Sequence, residues 1–161
     1  MSAEFYEEYI ENNRAIIYKI CRAYARSEAD FQDLFQEVCL QLWKSRDRFD
    51  NSSKLSTWIY RVTLNTCLTM TRHERREPAK VAVRETDVVT GPAEPDEESL
   101  RLEALYAALK KLSEADRAVI LLYLEEKSYK EIAEILGISL SNVGVKINRI
   151  KTKLTELITN G

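Results

Sequence analysis

Apolar residues recur along most of this chain at intervals of three and four positions. That spacing places them on one face of a helix and polar residues on the other. In the N-terminal half the apolar face includes Ile17, Ile20, Leu34, Val38 and Leu42. No stretch alternates apolar and polar residues over a length that would build a sheet. The pattern therefore predicts an all-α fold.

The segment 78–98 interrupts this periodicity. It contains all three prolines of the chain, and prolines break helices. Acidic residues also outnumber basic ones by seven to three across 79–103. We therefore predict a flexible acidic linker at 78–98 that joins two small helical domains, 1–77 and 99–161.

Residues typical of helix ends divide the C-terminal half. Ser113 and Ser128 each precede an acidic residue by three positions, which is the spacing of a capping box. Gly137 follows the apolar residues of one short helix, as a left-handed C-cap does. Ser139 is then placed to cap the next helix. This spacing predicts a helix-turn-helix in the C-terminal domain.

The second helix of that motif is a candidate DNA-binding surface, although the net charge of the chain is −2. Four basic residues and no acidic ones lie at 144–153. One face presents Asn142, Lys146, Arg149 and Lys153. Cations can neutralise phosphates and asparagine can pair with a base edge. We favour DNA binding over the alternative of a helical hairpin with a solvated basic face.

A second candidate surface lies at 56–76, on a helix that Ser56 or Thr57 is placed to cap. Its aromatic, amide and guanidinium side chains are Trp58, Tyr60, Arg61, Asn65, Arg72, Arg75 and Arg76. Such a mixture suits single-stranded or flipped bases, because rings stack on bases and arginines follow the backbone. Composition alone leaves an alternative open, in which Trp58 is core and the arginines favour the helix C-terminus.

A third candidate lies on the preceding helix. Asp30, Asp33, Gln36 and Glu37 form a polar face beside a strong apolar face. An ordinary amphipathic helix with this face in solvent is the simpler interpretation of these residues by themselves.

The chain offers little for catalysis or metal binding. Cys21, Cys39, Cys67 and the single His73 form no pair at metal-ligand spacing. The cysteines lie among apolar neighbours, as small buried thiols do. We therefore expect no catalytic residue, metal, cofactor or small-molecule substrate, and an enzyme is the least favoured class.

The sequence also bears on location. No apolar run approaches the roughly 18 residues that a membrane span needs. The N-terminal residues are acidic and lack the basic and apolar regions of a signal peptide. We expect a cytoplasmic protein.

Three motifs, one in each candidate surface, occur in the order found in a known family. Residues 33–38 are similar to the motif D-x-x-Q-E-V, and residues 56–65 to S-T-W-L-Y-R-I-A-x-N. Residues 131–139 match E-I-A-x-x-L-G-I-S. Together they resemble the bacterial RNA polymerase sigma factors of the extracytoplasmic-function (ECF) group, over nearly the whole chain outside the linker.

The resemblance implies a factor that binds core RNA polymerase, recognises promoter DNA at its −10 and −35 elements, and helps to melt it. The residues implied in core polymerase binding are Asp33, Leu34, Gln36, Glu37 and Val38. Those implied at the −10 element are Trp58, Tyr60, Arg61, Asn65, Arg72, Arg75 and Arg76. Those implied at the −35 element are Asn142, Gly144, Val145, Lys146, Asn148, Arg149 and Lys153. An anti-sigma factor, often a membrane protein, is a further implied partner.

The chain departs from the family pattern in its recognition helix. Gly144 and Val145 stand where the family commonly has Arg or Lys followed by Ser. Thr69 and Met70 likewise replace the usual Asp-Tyr. The family's −35 sequence therefore does not transfer to this chain.

Two other regulators are alternatives. A stand-alone helix-turn-helix repressor or activator would carry a dimerisation helix or a ligand pocket, and the sequence indicates neither. A response regulator would need alternating strands and helices, which the periodicity does not predict.

Overall fold

All regular secondary structure in the described part of this computed structural model, residues 2–76 and 96–160, is helical. The chain divides into two compact units, Met1–Val88 and Val89–Gly161. The prediction of an all-α fold with two helical domains is confirmed. Most of the predicted linker, at 78–98, lies outside the described residues.

The N-terminal unit contains a short helical segment and three longer helices. The segment is α-helical at Ala3–Phe5 (α1), π-helical at Tyr6–Ile10 and 3-10 helical at Glu11–Asn13. The longer helices are α2 (Arg14–Tyr24), α3 (Glu28–Lys44) and α4 (Leu55–Arg76), with a 3-10 turn at Arg46–Arg48. Helices α2, α3 and α4 pack against one another.

The apolar face predicted from the periodicity forms the core of this unit. Ile17, Ile20, Val38 and Leu42 are fully buried, and Leu34 is 2% exposed. Burying one such side chain stabilises a protein by about 1.5–3 kcal/mol. This face therefore holds α2 and α3 against α4.

Two of the three cysteines meet in this core. The thiol of Cys67 donates to Cys21 over 3.9 Å, and both side chains are buried and unoxidised. The hydrogen bond to Cys21 and burial raise the pKa of Cys67, and burial raises the pKa of Cys39 to about 11. The prediction of buried thiols is confirmed for Cys21 and Cys67, whereas Cys39 is only partly buried.

Two predicted boundaries are wrong by two or three residues. Helix α4 begins at Leu55 and the N–H of Trp58 donates to the carbonyl of Lys54 (3.2 Å), so the predicted caps, Ser56 and Thr57, lie inside the helix.

At the other boundary, α5 begins at Glu97, within the last residues of the predicted linker. Asp96 caps it by accepting from the N–H of Ser99 (2.8 Å). Acidic residues in a first turn interact favourably with the helix dipole, so Glu97 and Glu98 extend the helix rather than the linker.

The C-terminal unit is built around its last helix. Its elements are α5 (Glu97–Lys110), α6 (Glu114–Leu124), α7 (Tyr129–Leu136) and α8 (Leu140–Thr159). Helix α8 packs against each of the other three. It contacts them through Val143, Ile147, Ile150 and Leu154, all buried.

The predicted turn between α7 and α8 is confirmed. Ser128 and Glu131 form both hydrogen bonds of a capping box at the start of α7. Gly137 ends that helix in the left-handed region, with φ of 68°, and its N–H donates to the carbonyl of Ala133 (2.8 Å). Ser139 accepts from the backbone of α8 as the N-cap. The chain therefore has a helix-turn-helix at the predicted residues.

A buried arginine joins α5 to α6, which the periodicity did not predict. Arg117 is 8% exposed, and its guanidinium donates to the carbonyls of Leu109 (3.0 Å), Lys110 (3.1 Å) and Leu112 (3.1 Å). The carbonyls of Leu109 and Lys110 lie in the last turn of α5 and that of Leu112 lies just beyond it, where the helix supplies few donors of its own. The Leu109 carbonyl also accepts from the N–H of Leu112 (3.1 Å).

We expect Arg117→Met to lower the free energy of unfolding by about 2–3 kcal/mol, since it removes three charge-assisted hydrogen bonds to main-chain carbonyls. Urea unfolding followed by circular dichroism measures the change. Arg101→Met is the matched control, because Arg101 pairs with Glu97 on the exposed surface of α5. An equal effect of the two substitutions would contradict this role of Arg117.

The two glycines at 137 and 144 should respond to alanine with opposite signs. A Cβ at Gly144 would lie 3.6 Å from Cε2 of Tyr129, an ordinary contact, so Gly144→Ala should stabilise by roughly 1 kcal/mol through helix propensity. Gly137→Ala should destabilise by about 1–2 kcal/mol, because its φ of 68° is left-handed. The same urea titration tests both, and a shared sign would refute the interpretation.

Candidate functional site

One face of α4 carries most of the second candidate surface. Because an α-helix turns by 100° per residue, Trp58, Arg61, Asn65 and Arg72 lie within about 60° of one another. Asn65 and Arg72 are exposed, and Trp58 and Arg61 are partly exposed. Thr69 is exposed on the same face, and the aromatic and basic pattern gave no signal for it. The face is polar, cationic and partly aromatic.

Tyr60 does not belong to this face. It follows Trp58 by two residues, a rotation of about 200° that directs it into the core. It is 7% exposed, so its ring has no surface for a base, and the prediction for Tyr60 is wrong. The backbone of Arg75 and Arg76 continues α4, and their side chains lie outside the described residues.

Trp58 takes part in an aromatic cluster at one end of the N-terminal unit. Its ring packs on Tyr9 (5.9 Å between centroids) and Phe49 (5.4 Å). Phe5 extends the cluster by stacking on Tyr9 (4.3 Å) and meeting Trp43 edge-on (5.1 Å). Each such pair contributes about 0.5–1.5 kcal/mol beyond burial. Trp58 is therefore partly a core residue and partly a surface residue: one part of the ring packs in the cluster and another stays accessible.

The loop before α4 is held in a defined shape beside this cluster. The carboxylate of Asp50 accepts from the N–H of Ser52 (3.0 Å), and hydrogen bonds from Ser52 lower the pKa of Asp50. Asn51 between them adopts a positive φ of 62°. These polar residues before α4 thus form an ordered turn.

The third candidate surface, on α3, divides into polar and buried residues. Asp33 and Gln36 are exposed, and Glu37 is partly exposed and accepts from Nε2 of Gln41 (2.9 Å). Leu34 is 2% exposed and Val38 is fully buried. Of the five residues implied in polymerase binding, these two therefore fix α3 to the core and present no surface to a partner.

Helix α8 presents a mixed outer surface. Asn142, Asn148, Arg149 and Lys153 are exposed, and Val145 is 68% exposed. Gly144 instead faces the ring of Tyr129 on α7, on a flank away from Arg149. Gly144 therefore contributes the spacing of two helices rather than a group for a ligand.

Two of the predicted basic residues are paired with one carboxylate of α6. Oδ1 of Asp116 lies 2.8 Å from Nη2 of Arg149 and 3.8 Å from Nζ of Lys146. The Lys146 side chain is 26% exposed and that of Arg149 60% exposed. Asp116 precedes these cations by about thirty residues, so helical periodicity gave no signal for the pairing.

The remaining cations of α8 differ from this pair. Nζ of Lys151 donates to the hydroxyl of Tyr123 (2.9 Å) and lies 4.8 Å from the centre of that ring. This hydrogen bond raises the pKa of Lys151. Lys153 makes no ion pair with any residue that the structure describes. A positive surface thus remains beside the Asp116 pairings.

Other kinds of site find little support in the same residues. Across 2–76 and 96–160, no three carboxylate, thiol or imidazole side chains converge as metal ligands. No helix in those ranges has the length and hydropathy to cross a membrane.

Two family descriptions match the chain, one in each unit. Residues 9–77 match Sigma-70 region 2, and residues 102–154 match Sigma-70, region 4. The first range contains the surfaces on α3 and α4, and the second contains the helix-turn-helix.

Individual relatives agree with this assignment. The chain is 35% identical to the ECF RNA polymerase sigma factor SigG of Mycobacterium tuberculosis over 162 residues, which cover 83% of this chain and 43% of SigG. It therefore spans less than half the length of that relative. It is 31% identical to the ECF RNA polymerase sigma factor SigW of Bacillus subtilis over 154 residues, covering 87% of this chain and 81% of SigW.

A solved structure shares the fold. The sigma factor RpoE of Bartonella quintana, solved in complex with the anti-sigma factor NepR, matches with a TM-score of 0.71 and 23% identity. The match covers 92% of this chain and 95% of that chain. From the two matched regions, the identity to SigW over most of its length and this fold, the chain belongs to the ECF group of RNA polymerase sigma factors.

Proposed function

We propose that this protein binds core RNA polymerase and directs promoter-specific transcription initiation by recognising −10 and −35 elements and helping to melt the DNA. The observation that carries the proposal is the occurrence of Sigma-70 regions 2 and 4 in one chain, in that order. Each region has an exposed helical face of suitable chemistry. The protein itself makes and breaks no covalent bond in this role.

The polar face of α3 is the proposed contact with core polymerase. Asp33, Gln36 and Glu37 offer carboxylate and amide groups on a helix whose opposite side is fixed in the core. Leu34 and Val38 act only by holding that helix in place. A rigid helix loses little conformational freedom on binding, which favours it as a docking element.

The face of α4 is the proposed −10 contact. Arg61 and Arg72 supply charge for the phosphate backbone, and Asn65 has an amide that can pair with a base edge. The accessible part of Trp58 can stack on a base that has left the duplex. Arg75 and Arg76 extend the same helix and are proposed to contact the backbone.

The outer surface of α8 is the proposed −35 contact. A helix of this kind fits the major groove of B-DNA, with its N-terminal residues nearest the bases. Asn142, Val145, Asn148 and Arg149 are the exposed residues for base contacts, and Lys146 and Lys153 are nearer the backbone.

The two promoter contacts are proposed to act through the domain boundaries predicted from the sequence, 1–77 and 99–161, joined by the acidic linker at 78–98. A tether between two binding modules raises the effective concentration of each at its own site. Two weak contacts can then give one specific complex.

We further propose that an anti-sigma factor holds this protein inactive and that the protein works in the cytoplasm. The shared fold with RpoE, which was solved in complex with an anti-sigma factor, supports such a partner.

Run-off transcription tests the proposed function. The purified full chain is mixed with bacterial core polymerase that lacks other sigma factors, fragmented genomic DNA of the source is supplied, and transcript starts are sequenced. We expect discrete starts that share two upstream motifs. An absence of protein-dependent starts, with no binding to core, would leave a DNA-binding regulator as the better interpretation.

The α3 contact makes a specific prediction. Gln36→Ala combined with Glu37→Ala should weaken binding to core polymerase at least tenfold, because it removes polar groups from the proposed interface. Both side chains are outside the core, so the circular dichroism spectrum should not change.

Glu28→Ala combined with Gln32→Ala is the matched control for this pair. Both control residues are exposed on α3, about one and two turns before Gln36, and bond to each other (3.2 Å). Fluorescence anisotropy with labelled core measures both pairs. Equal losses, or no loss, would remove Gln36 and Glu37 from the interface.

Val145 makes a second prediction, about base sequence. An exposed apolar side chain in the major groove has one natural partner, the 5-methyl group of thymine. Burying a methyl group stabilises by about 0.8 kcal/mol, so replacing the contacted thymine by uracil should weaken binding roughly fourfold. The comparison uses promoter duplexes that carry uracil at each −35 thymine in turn.

Val145→Ser should lose this sensitivity while it keeps the backbone contacts. Serine is the residue that the family commonly has at this position, so the fold should tolerate it. If uracil has the same effect on Val145→Ser as on the parent chain at every position, Val145 does not read a methyl group.

A further inference from the structure

Asp116 pairs with two cations of α8, and it is not itself one of the proposed DNA contacts. A single oxygen, Oδ1, accepts from Nη2 of Arg149 (2.8 Å) and lies 3.8 Å from Nζ of Lys146. The Asp116 side chain is only 14% exposed, which makes this more than a loose surface ion pair. Exposed pairs contribute little, whereas partly buried pairs are screened less by solvent.

Asp116 is itself fixed in position. Its backbone N–H donates to Oγ of Ser113 (3.1 Å), the N-cap of α6. The next residue, Arg117, is buried against the end of α5. The carboxylate therefore projects toward α8 from the fixed first turn of α6.

The pairing leaves most of the Arg149 guanidinium available. Arginine has five N–H donors, and within the described residues only Nη2 makes a hydrogen bond, to Asp116. Its side chain is 60% exposed. A guanidinium held at one end presents its other donors in a fixed direction, which is the requirement for bidentate contact with guanine.

The carboxylate also lowers the attraction of this helix for phosphate. Lys146 and Arg149 together carry two positive charges, and Asp116 offsets one of them at contact distance. A phosphate that takes either cation must compete with Asp116. Lys151, by contrast, is held by the neutral hydroxyl of Tyr123, which offsets no charge.

We infer that Asp116 is a positioning residue for −35 recognition, which orients Arg149 toward base edges and suppresses sequence-independent phosphate binding by Arg149 and Lys146. The inference rests on the proposed function of α8. In this role Asp116 lowers the affinity of the protein for DNA of any sequence. It thereby raises the ratio of promoter to non-promoter affinity, since specificity is a difference between two affinities.

The test uses holoenzyme assembled from the full chain and core polymerase. Its DNA probes are a labelled promoter fragment found by run-off transcription and the same fragment with the −35 bases shuffled. Affinities for both are measured by anisotropy at several salt concentrations, for the parent chain and for Asp116→Asn.

We expect Asp116→Asn to bind the shuffled fragment several-fold more tightly, with a salt slope steeper by about one, because a cation becomes available to phosphate. The ratio of promoter to shuffled affinity should fall about tenfold. Loss of a structural contact alone would lower both affinities and would not steepen the slope.

Two further variants serve as controls, one for the loss of a charge and one for its position. Glu103→Gln removes the same charge from an exposed position of α5 and should change neither the slope nor the ratio. Asp116→Glu keeps the charge but moves it, so it should lower the ratio and leave the shuffled affinity near that of the parent chain. Circular dichroism establishes that each variant is folded.

An unchanged ratio in folded Asp116→Asn would overturn the inference, as would equal effects of Asp116→Asn and Glu103→Gln. If either result is found and the parent holoenzyme still selects the promoter, the inference fails but the proposed function stands. A parent chain that forms no holoenzyme would instead refute the proposed function, and with it this inference.

Discussion

The burial of one face of α8 is the constraint on which the C-terminal unit depends. Val143, Ile147, Ile150 and Leu154 are buried against α5, α6 and α7, and they lie within about 60° of one another around the helix. Because a helix is rigid, fixing this face also fixes the side of the helix from which every other residue projects. The exposure of Arg149 and Val145 is therefore a consequence of packing, and no separate interaction is needed to orient the helix.

The same constraint operates on α4 in the N-terminal unit, with an addition. Core residues such as Cys67 hold one side of the helix, and the turn of 100° per residue then brings Asn65 and Arg72 to the other. The aromatic cluster around Trp58 adds a second anchor at the start of the helix. The face proposed for the −10 element is thus built on a helix that is anchored both at its start and along its core side.

Two consecutive residues of α6 connect the elements of the C-terminal unit. Arg117 points inward and satisfies the last carbonyls of α5, and Asp116 pairs with Lys146 and Arg149 of α8. Charged side chains at adjacent positions of a helix diverge by about 100°, so one short turn reaches two different helices. Both contacts join residues far apart in the sequence, and both restrict the setting of α6 beside the recognition helix.

The sequence by itself determined the helical class, the position of the helix-turn-helix and the family resemblance. The first two rest on local rules: apolar spacing, the Ser128 capping box and Gly137 as a left-handed cap. The resemblance rests on three short motifs. The sequence pattern predicted the start of α4 too late, at Ser56 or Thr57. It also predicted Tyr60 to be on the surface, because composition does not say which side of a helix is packed. Only the tertiary structure decided that Leu34 and Val38 are core, that Gly144 faces Tyr129, and that Asp116 holds two of the predicted DNA-binding cations. These outcomes depend on contacts between distant parts of the chain, and a local pattern gives no information about such contacts.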